Sequence, residues 1–106
     1  MNKTHRIRKA DAGEAETSAA AARFFKALSH PARIRIAARL LRGDCCVTEA
    51  RACLELSQPN VSQHLKILKD AGLIVGRRQG AKICYRLADS RVARILRILF
   101  PEENES

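Results

Sequence analysis

Apolar positions in most of the chain repeat every three or four residues, which predicts α-helices separated by short loops. Residues that begin or end helices bound these segments: Ser29 and Pro31 open one of them, and Gly43 ends it. After Gly72 the pattern changes to the two-residue alternation of β-strands. The chain is therefore expected to be mainly α-helical with a small β-hairpin. The predicted helices cover residues 19–28, 29–42, 47–54, 57–71 and 90–100.

The segment SQPNVSQHLKILKDAG, residues 57–72, predicts an amphipathic helix with a polar, uncharged first turn. Ser57 can cap the first amides, Pro59 lies where its missing N–H is not needed, and Gly72 ends the helix. The apolar face carries Val61, Leu65 and Leu68, with Ile67 one position off. A helix anchored in this way suits the major groove of DNA, where polar side chains read base edges. The outward residues are Gln58, Asn60, Ser62, Gln63, His64 and Lys66.

The residues after Gly72 predict a β-hairpin with a cationic turn. Leu73 to Val75 and Ile83 to Leu87 form the predicted strands, and GRRQGAK joins them. A helix followed by a basic-tipped hairpin is typical of a winged helix-turn-helix, whose hairpin reaches phosphates or the minor groove. The cations at this tip are Arg77, Arg78 and Lys82.

The side chains of the helix and the hairpin differ in the contacts that they can make with DNA. The amides of Gln58, Asn60 and Gln63 can form paired hydrogen bonds with base edges. Hydroxyl and imidazole groups can bond either bases or phosphates, and the cations are expected to add affinity with little specificity. The hydroxyl and imidazole residues are Ser57, Ser62 and His64, and the cations are Lys66, Arg77, Arg78 and Lys82.

The charge balance favours a polyanionic partner. Twenty Lys and Arg residues against eleven Asp and Glu residues give the 106-residue chain a net charge of +9. Double-stranded DNA is such a partner, although charge alone would also fit a basic but inert surface. A chain of this length forms one small domain. We expect that domain at residues 18–100, between a mobile N-terminal tail at 1–17 and an acidic tail at 101–106.

No segment is apolar over 18 or more residues, and the N-terminus lacks the apolar core of a secretory signal. We therefore expect no membrane partner and a cytoplasmic protein, in which the four cysteines remain thiols. No nucleophile, base and orienting group can be placed together, so an enzyme is not expected. No cofactor is expected to be required for folding.

The segments FKALSHPARIRIAARLL and LELSQPNVSQHLKILKDAGLIVGRRQGAKICYRL resemble the ArsR/SmtB family of bacterial repressors. The resemblance covers about residues 24–100. It implies a winged helix-turn-helix that dimerises through its first and last helices and binds DNA. A dimer would place two reading helices about 34 Å apart, one DNA turn, and so would require an inverted-repeat operator.

The first and last helices carry more apolar surface than one small domain can cover. Six large apolar residues of these helices are the candidates for a two-fold interface, with ordinary packing inside one chain as the alternative. They are Phe24, Phe25, Leu28, Leu96, Leu99 and Phe100.

Three cysteines lie around the short third helix, where arsenic-sensing members of the resembled family carry a three-cysteine cluster. Cys46 aligns with the first cysteine of that cluster, but Thr48 and Arg51 occupy the other two positions. Cys45 and Cys46 form a vicinal dithiol that can bind a soft centre such as As(III) or mercury. A third ligand can come from Cys53 after distortion or from another subunit's His5, and Cys53 is otherwise a small core residue.

Cys84 in the second strand suggests a different sensor. Lys82 and Arg86 share its strand face, so it is a candidate for oxidation or persulfidation, with an inert strand cysteine as the alternative. The resulting hypothesis is a repressor that leaves its operator when a soft metal(loid) binds Cys45 and Cys46. A thiol-redox or persulfide regulator of the same fold is the alternative, as is a metal-independent regulator or a general nucleoid-binding protein.

Overall fold

The computed structural model describes residues 11–101, with only the backbone described at Asp11, Ala12 and Cys53. Within this range the chain forms five α-helices and three short strands. The predicted helical class and the hairpin are confirmed. In chain order the elements are α1 Asp11–Leu28, α2 Pro31–Leu41, β1 Cys45–Cys46, α3 Val47–Leu54, α4 Gln58–Asp70, β2 Ile74–Gln79, β3 Lys82–Leu87 and α5 Ser90–Leu99.

The strands form one antiparallel sheet in the order β1-β3-β2. β2 and β3 are the predicted hairpin, but both strands are longer than expected because Arg77 and Arg78 pair with β3 instead of lying in the turn. The turn is reduced to Gly80, at φ +67°, and Ala81. β1 was not predicted: Cys45 and Cys46 add a short edge to β3. The cysteine pair is therefore part of the sheet, directly before the third helix.

The core lies between all five helices and one face of the sheet. From α4 it receives Val61, Leu65 and Leu68, the predicted apolar face of that helix, and Val61 and Leu68 are completely buried. Each fully buried aliphatic side chain of this size contributes roughly 1.5–3 kcal/mol to folding. This packing fixes the opposite face of α4 toward solvent.

Three of the six residues predicted for the dimer interface belong to this core. Phe24, Leu28 and Leu96 are 6%, 8% and 2% exposed, so the interface prediction needs correction at these positions. They were misplaced because consecutive helical residues point about 100° apart, and the sequence does not say which of two neighbouring apolar residues turns inward. Phe25 and Leu99 are 58% and 59% exposed, and Phe100 is also exposed.

Local signals explain where the helices begin. Ser57 Oγ accepts from the amide of Asn60 at 3.4 Å, as predicted, and Asp89 caps α5 by accepting from the amide of Arg91 at 2.9 Å. α2 begins at Pro31, one of the two residues predicted to open it, and its cap is His30, whose Nδ1 accepts from the amide of Ala32 at 3.0 Å.

α1 begins at Asp11, so residues 11–17, predicted to belong to a tail, form its first turns. Predictions for residues 1–10, including His5, and for residues 102–106 fall outside the described range. Among the described residues no helix is both long and apolar enough to span a membrane.

Candidate nucleic-acid interface and thiol site

The first turns of α4 present a row of polar side chains to solvent. Because Val61, Leu65 and Leu68 are held in the core, the residues between them point outward. Five of the six predicted outward residues are exposed, and Ser57 at the N-cap is exposed as well. The structure therefore brings these predicted DNA-contacting groups together on one face: Ser57, Gln58, Asn60, Ser62, Gln63 and Lys66.

The hairpin lies next to the start of this face. Gln58 at the beginning of α4 lines the same groove as Ala81 and Lys82 at the hairpin tip. The groove encloses about 230 Å³, and Cys46 and Thr48 at the start of α3 also line it. Arg77, Arg78 and Lys82 are all exposed. The start of the polar α4 face and Lys82 of the hairpin thus border one groove, and Arg77 and Arg78 add exposed positive charge to the same hairpin.

Lys66 differs from the hairpin cations in having an acidic neighbour. Its ammonium group lies 2.9 Å from Asp70 Oδ2, one helical turn further along α4. Both side chains are well exposed, so the pair adds little stability. The carboxylate partly offsets the positive charge at this end of the helix.

His64 is the exception among the predicted contact residues. Its side chain is half-buried, and its ring centroid lies 4.5 Å from that of His30. Arg33 Nη1 is 3.3 Å from His64 Nδ1, and Arg33 Nε also donates to the carbonyl of Ala27. Burial, followed by the nearby His30 and Arg33, lowers the pKa of His64 below its usual 6.5. His64 therefore joins α4 to α2 and is less available to DNA than the residues around it.

Cys45 and Cys46 are both buried, at 3% and 7% exposure, but their surroundings differ. Successive strand residues point to opposite faces of a sheet. Cys45 belongs to the hydrophobic core and pairs across the sheet with Tyr85. Cys46 pairs with Cys84 and lines the groove between α3, α4 and the hairpin. Both thiols nevertheless interact with the Glu49 carboxylate at the start of α3, and both residues line one small cavity with Leu40 and Tyr85.

The electrostatics of this region keep Cys45 protonated. Burial raises its pKa to about 11, an effect that Arg39 opposes and Glu49 reinforces. The Glu49 carboxylate accepts from the amide of Cys46 at 3.0 Å, and this hydrogen bond lowers the pKa of Glu49. Cys45 Sγ lies 3.3 Å from the carbonyl oxygen of Cys46. At neutral pH the resting Cys45 side chain is a thiol.

The other predicted thiol residues are placed as follows. Cys84 is half-buried, and its Sγ lies 3.6 Å from Gln79 Oε1. Cys53 is in α3, but its side chain lies outside what the structure describes. Among the described residues no group of three His, Cys, Asp or Glu side chains is arranged to hold a metal ion. What sequence reasoning missed is the pairing of Cys46 with Cys84, which links two cysteines that had been assigned to separate sensors.

A second surface, away from the groove, carries exposed apolar residues on α1 and α5. Phe25, Leu99 and Phe100 remain exposed from the predicted set, and Ile98 is 77% exposed. One long side of α5 is held in the core by Val92 and Leu96. The first and last helices therefore each keep apolar side chains exposed to solvent.

Residues 30–75 match the bacterial regulatory protein family described as the arsR family. The chain is 42% identical over 84 residues to the biofilm growth-associated repressor of Agrobacterium fabrum, covering 74% of this chain and 72% of that protein. It is 43% identical over 72 residues to a probable mercury resistance operon repressor of Streptomyces lividans, covering 68% of this chain and 58% of that protein. The chain thus spans less than two thirds of the length of the second relative.

The fold is also similar to that of a solved regulator. A homodimeric winged helix-turn-helix DNA-binding domain from Mycobacterium bovis, described as a possible ArsR-family transcriptional regulator, superimposes with a TM-score of 0.76 at 29% identity. The match covers 87% of this chain and 85% of that domain. These relatives are transcriptional regulators and not enzymes. From the α4 face, the adjoining hairpin and these similarities, we conclude that the chain is a winged helix-turn-helix transcriptional repressor of the ArsR family.

Proposed function

We propose that the protein is a cytoplasmic homodimer that binds an inverted-repeat operator and is released from it by thiol chemistry at its cysteines. The observation that carries this proposal is the exposed polar face of α4 directly beside a cationic hairpin. In this arrangement α4 enters the major groove while the hairpin follows the backbone or the adjoining minor groove.

Sequence would be read by the amides near the start of α4. Gln58, Asn60 and Gln63 are exposed and can each form two hydrogen bonds with one base. Ser57 and Ser62 can bond phosphates and so fix the register of the helix. The hairpin cations Arg77, Arg78 and Lys82 supply affinity that depends on salt. We assign His64 a supporting role because its ring is held against His30 and Arg33.

The apolar face formed by Phe25, Ile98, Leu99 and Phe100 would join two protomers. Apolar side chains exposed together on a small domain commonly mark an interface. The M. bovis domain of similar fold is homodimeric, which supports the same assembly here. A two-fold dimer places its two α4 helices about 34 Å apart and thus selects two half-sites one DNA turn apart.

We further propose that As(III) or a similar soft metal(loid) is the inducer and binds at Cys45 and Cys46. The relative from S. lividans, by its description, belongs to a mercury resistance operon. Arsenous acid, As(OH)₃, condenses with two thiols to give (RS)₂AsOH and two water molecules. This reaction consumes protonated thiols and leaves no net charge, so the raised pKa of Cys45 does not oppose it. Mercuric ion must instead displace thiol protons.

Binding at both cysteines would be coupled to the hairpin through β1. Cys45 and Cys46 are neighbours in an extended strand, so a shared arsenic atom would require their sulfur atoms to turn toward each other, and we propose that residues 45–46 leave their extended conformation to allow this. β1 then detaches from Tyr85 and Cys84 in β3, and the start of α3 moves relative to the hairpin. A coupling free energy of about 1 to 3 kcal/mol corresponds to 5- to 150-fold weaker DNA binding.

Three alternatives predict different responses. A thiol-redox or persulfide regulator of the same fold is released by oxidant or polysulfide without metal. A metal-independent regulator responds to neither. A general nucleoid-binding protein also binds DNA in a salt-dependent manner but has no preference for an inverted repeat.

The test is a titration of reduced protein onto DNA from upstream of its own gene, at fixed salt, with and without one equivalent of arsenite per protomer. We expect a specific complex that arsenite dissociates in the wild type and in Cys84→Ser, but not in Cys45→Ser/Cys46→Ser. Release of that double variant by arsenite would exclude the assigned pair. Equal affinity for unrelated DNA would exclude a sequence-specific repressor.

A further inference from the structure

The sheet brings two thiols together that are 38 positions apart in the chain. Cys46 in β1 lies directly opposite Cys84 in β3, and both belong to the same antiparallel register. We propose that these two residues form an oxidisable dithiol, which a hydroperoxide converts into an intramolecular disulfide between β1 and β3. The disulfide stands on the geometry of the sheet, whereas its effect on DNA rests on the proposed repressor function.

The register places the two residues directly opposite each other in neighbouring strands. Directly opposed residues of antiparallel strands have Cα atoms about 4.5–5.5 Å apart, and disulfides need about 4.4–6.8 Å. Their side chains also project from the same face of the sheet. Cβ separations of about 4.5–5.5 Å are slightly wider than the 3.5–4.5 Å of a disulfide, so the strands must draw together by a small amount. β1 is only two residues long and lies at the sheet edge, where such a movement is least restrained.

No other described thiol is placed as well for either partner. Cys45 points to the core face, where it pairs with Tyr85. Cys45 and Cys46 are neighbours in an extended strand, so their Cβ atoms point to opposite faces of the sheet, and a bond between them requires the backbone of β1 to leave that conformation. Among the three free cysteines of the described range, Cys46 and Cys84 are therefore the pair that can close without breaking the sheet.

The different exposure of the two cysteines indicates which one reacts with the peroxide first. Cys84 is partly exposed, with Arg77 opposite it in β2, whereas Cys46 is 7% exposed. Cys84 therefore meets the oxidant: its sulfur attacks the peroxide, giving a sulfenic acid and releasing the alcohol, or water when the oxidant is hydrogen peroxide. Cys46 then attacks the sulfenic sulfur, the S–S bond forms, and one water molecule leaves. Together the two thiols lose two protons and two electrons; the electrons cleave the peroxide O–O bond, and the protons end on the released alcohol and water.

The bond would constrain the proposed DNA-binding surface. It closes the segment from 46 to 84, which contains α3, α4 and β2, and so ties the start of α3 to the hairpin. Arg77, Cys84 and Cys46 are adjacent in one row across the sheet, so drawing β1 and β3 together re-aims a hairpin cation. We expect oxidation to weaken specific DNA binding at least fivefold and reductant to restore it.

The test treats the full-length, reduced protein with a small excess of hydrogen peroxide, alkylates the remaining thiols and digests it with trypsin. Cleavage after Arg and Lys places Cys45 and Cys46 in peptide 43–51, Cys53 in peptide 52–66 and Cys84 in peptide 83–86. We expect a disulfide-linked product of peptides 43–51 and 83–86 from one protomer. It should form in the wild type and in Cys45→Ser, and be absent from Cys46→Ser and Cys84→Ser.

Cys84→Ser replaces a partly exposed residue and should keep the native circular dichroism spectrum, so loss of the linked product in it cannot be attributed to misfolding. The site is overturned by a link to peptide 52–66, by a vicinal bond within peptide 43–51, by a link between protomers or by full alkylation. A disulfide that forms but leaves DNA binding unchanged overturns the regulatory effect alone. Failure of the reduced protein to bind specific DNA instead overturns the proposed function.

Discussion

The hairpin cations provide the most quantitative prediction. Arg78 and Lys82 flank the hairpin turn, and both are exposed. If they contact phosphates, Arg78→Gln/Lys82→Gln removes four such contacts from a dimer. Each contact contributes about 0.9 to the slope of log binding constant against log salt concentration, so the slope should fall by about 3.6.

Over a fourfold rise in salt, from about 50 to about 200 mM, this difference in slope corresponds to a difference of about 150-fold in the loss of binding affinity. The wild type should lose that much more affinity than the variant over the same range, while the variant binds more weakly at low salt. Fluorescence anisotropy with a labelled operator fragment measures both quantities. Lys69→Gln/Arg94→Gln removes the same charge from the far end of α4 and from α5 and is the matched control. An unchanged slope, or an equal change in the control, would refute the placement of the hairpin on DNA.

Three further predictions concern the fold, the dimer and pH. Leu68→Ala should lower the free energy of unfolding by about 2–5 kcal/mol because Leu68 is completely buried, and Lys69→Ala by less than about 0.5; equal effects in urea denaturation would contradict the assigned core. Phe25→Glu/Leu99→Lys should retain the fold but raise the dimer dissociation constant at least tenfold in sedimentation analysis, whereas unchanged dimers would exclude that face. The lowered pKa of His64 means that the folded state disfavours its charged form, so the free energy of unfolding should fall as pH drops through 6.5. His64→Gln should reduce the pH dependence of the free energy of unfolding between pH 7.5 and 5.5. If the variant shows the same pH dependence as the wild type, groups other than His64 cause it.

The parts of the fold that sequence predicted well depend on local signals. The cap at Ser57, the proline that follows and the repeat of Val61, Leu65 and Leu68 together determine where α4 lies and which face it buries. The hairpin was also found, since alternating residues surround a Gly-containing turn. These features need only a few neighbouring residues, and the polar face of α4 follows from them.

The features that were missed depend on contacts between distant segments. β1 has two residues, too few to show any periodicity, and its partners in β3 come about 40 positions later. The pairing of Cys46 with Cys84 could therefore not be read from spacing. The environment of His64 is set by His30, which caps α2, and by Arg33 on α2. The sequence does carry a signal for the position of His30: the residue just before Pro31 stands at an N-cap position, and His30 caps α2 there.

In the proposed dimer, two α4 helices read two half-sites one DNA turn apart. The most direct measurement selects the preferred sequence from random DNA and then compares its affinity with that of the same sequence carrying five extra base pairs between the half-sites. We predict that the selected sequence is an inverted repeat. The lengthened sequence should bind only as tightly as a single half-site, because five base pairs turn the second half-site to the opposite side of the DNA helix. If no repeat is selected, or if both spacings bind with equal affinity at the same salt concentration, then the two α4 helices of a dimer do not read two half-sites in this way.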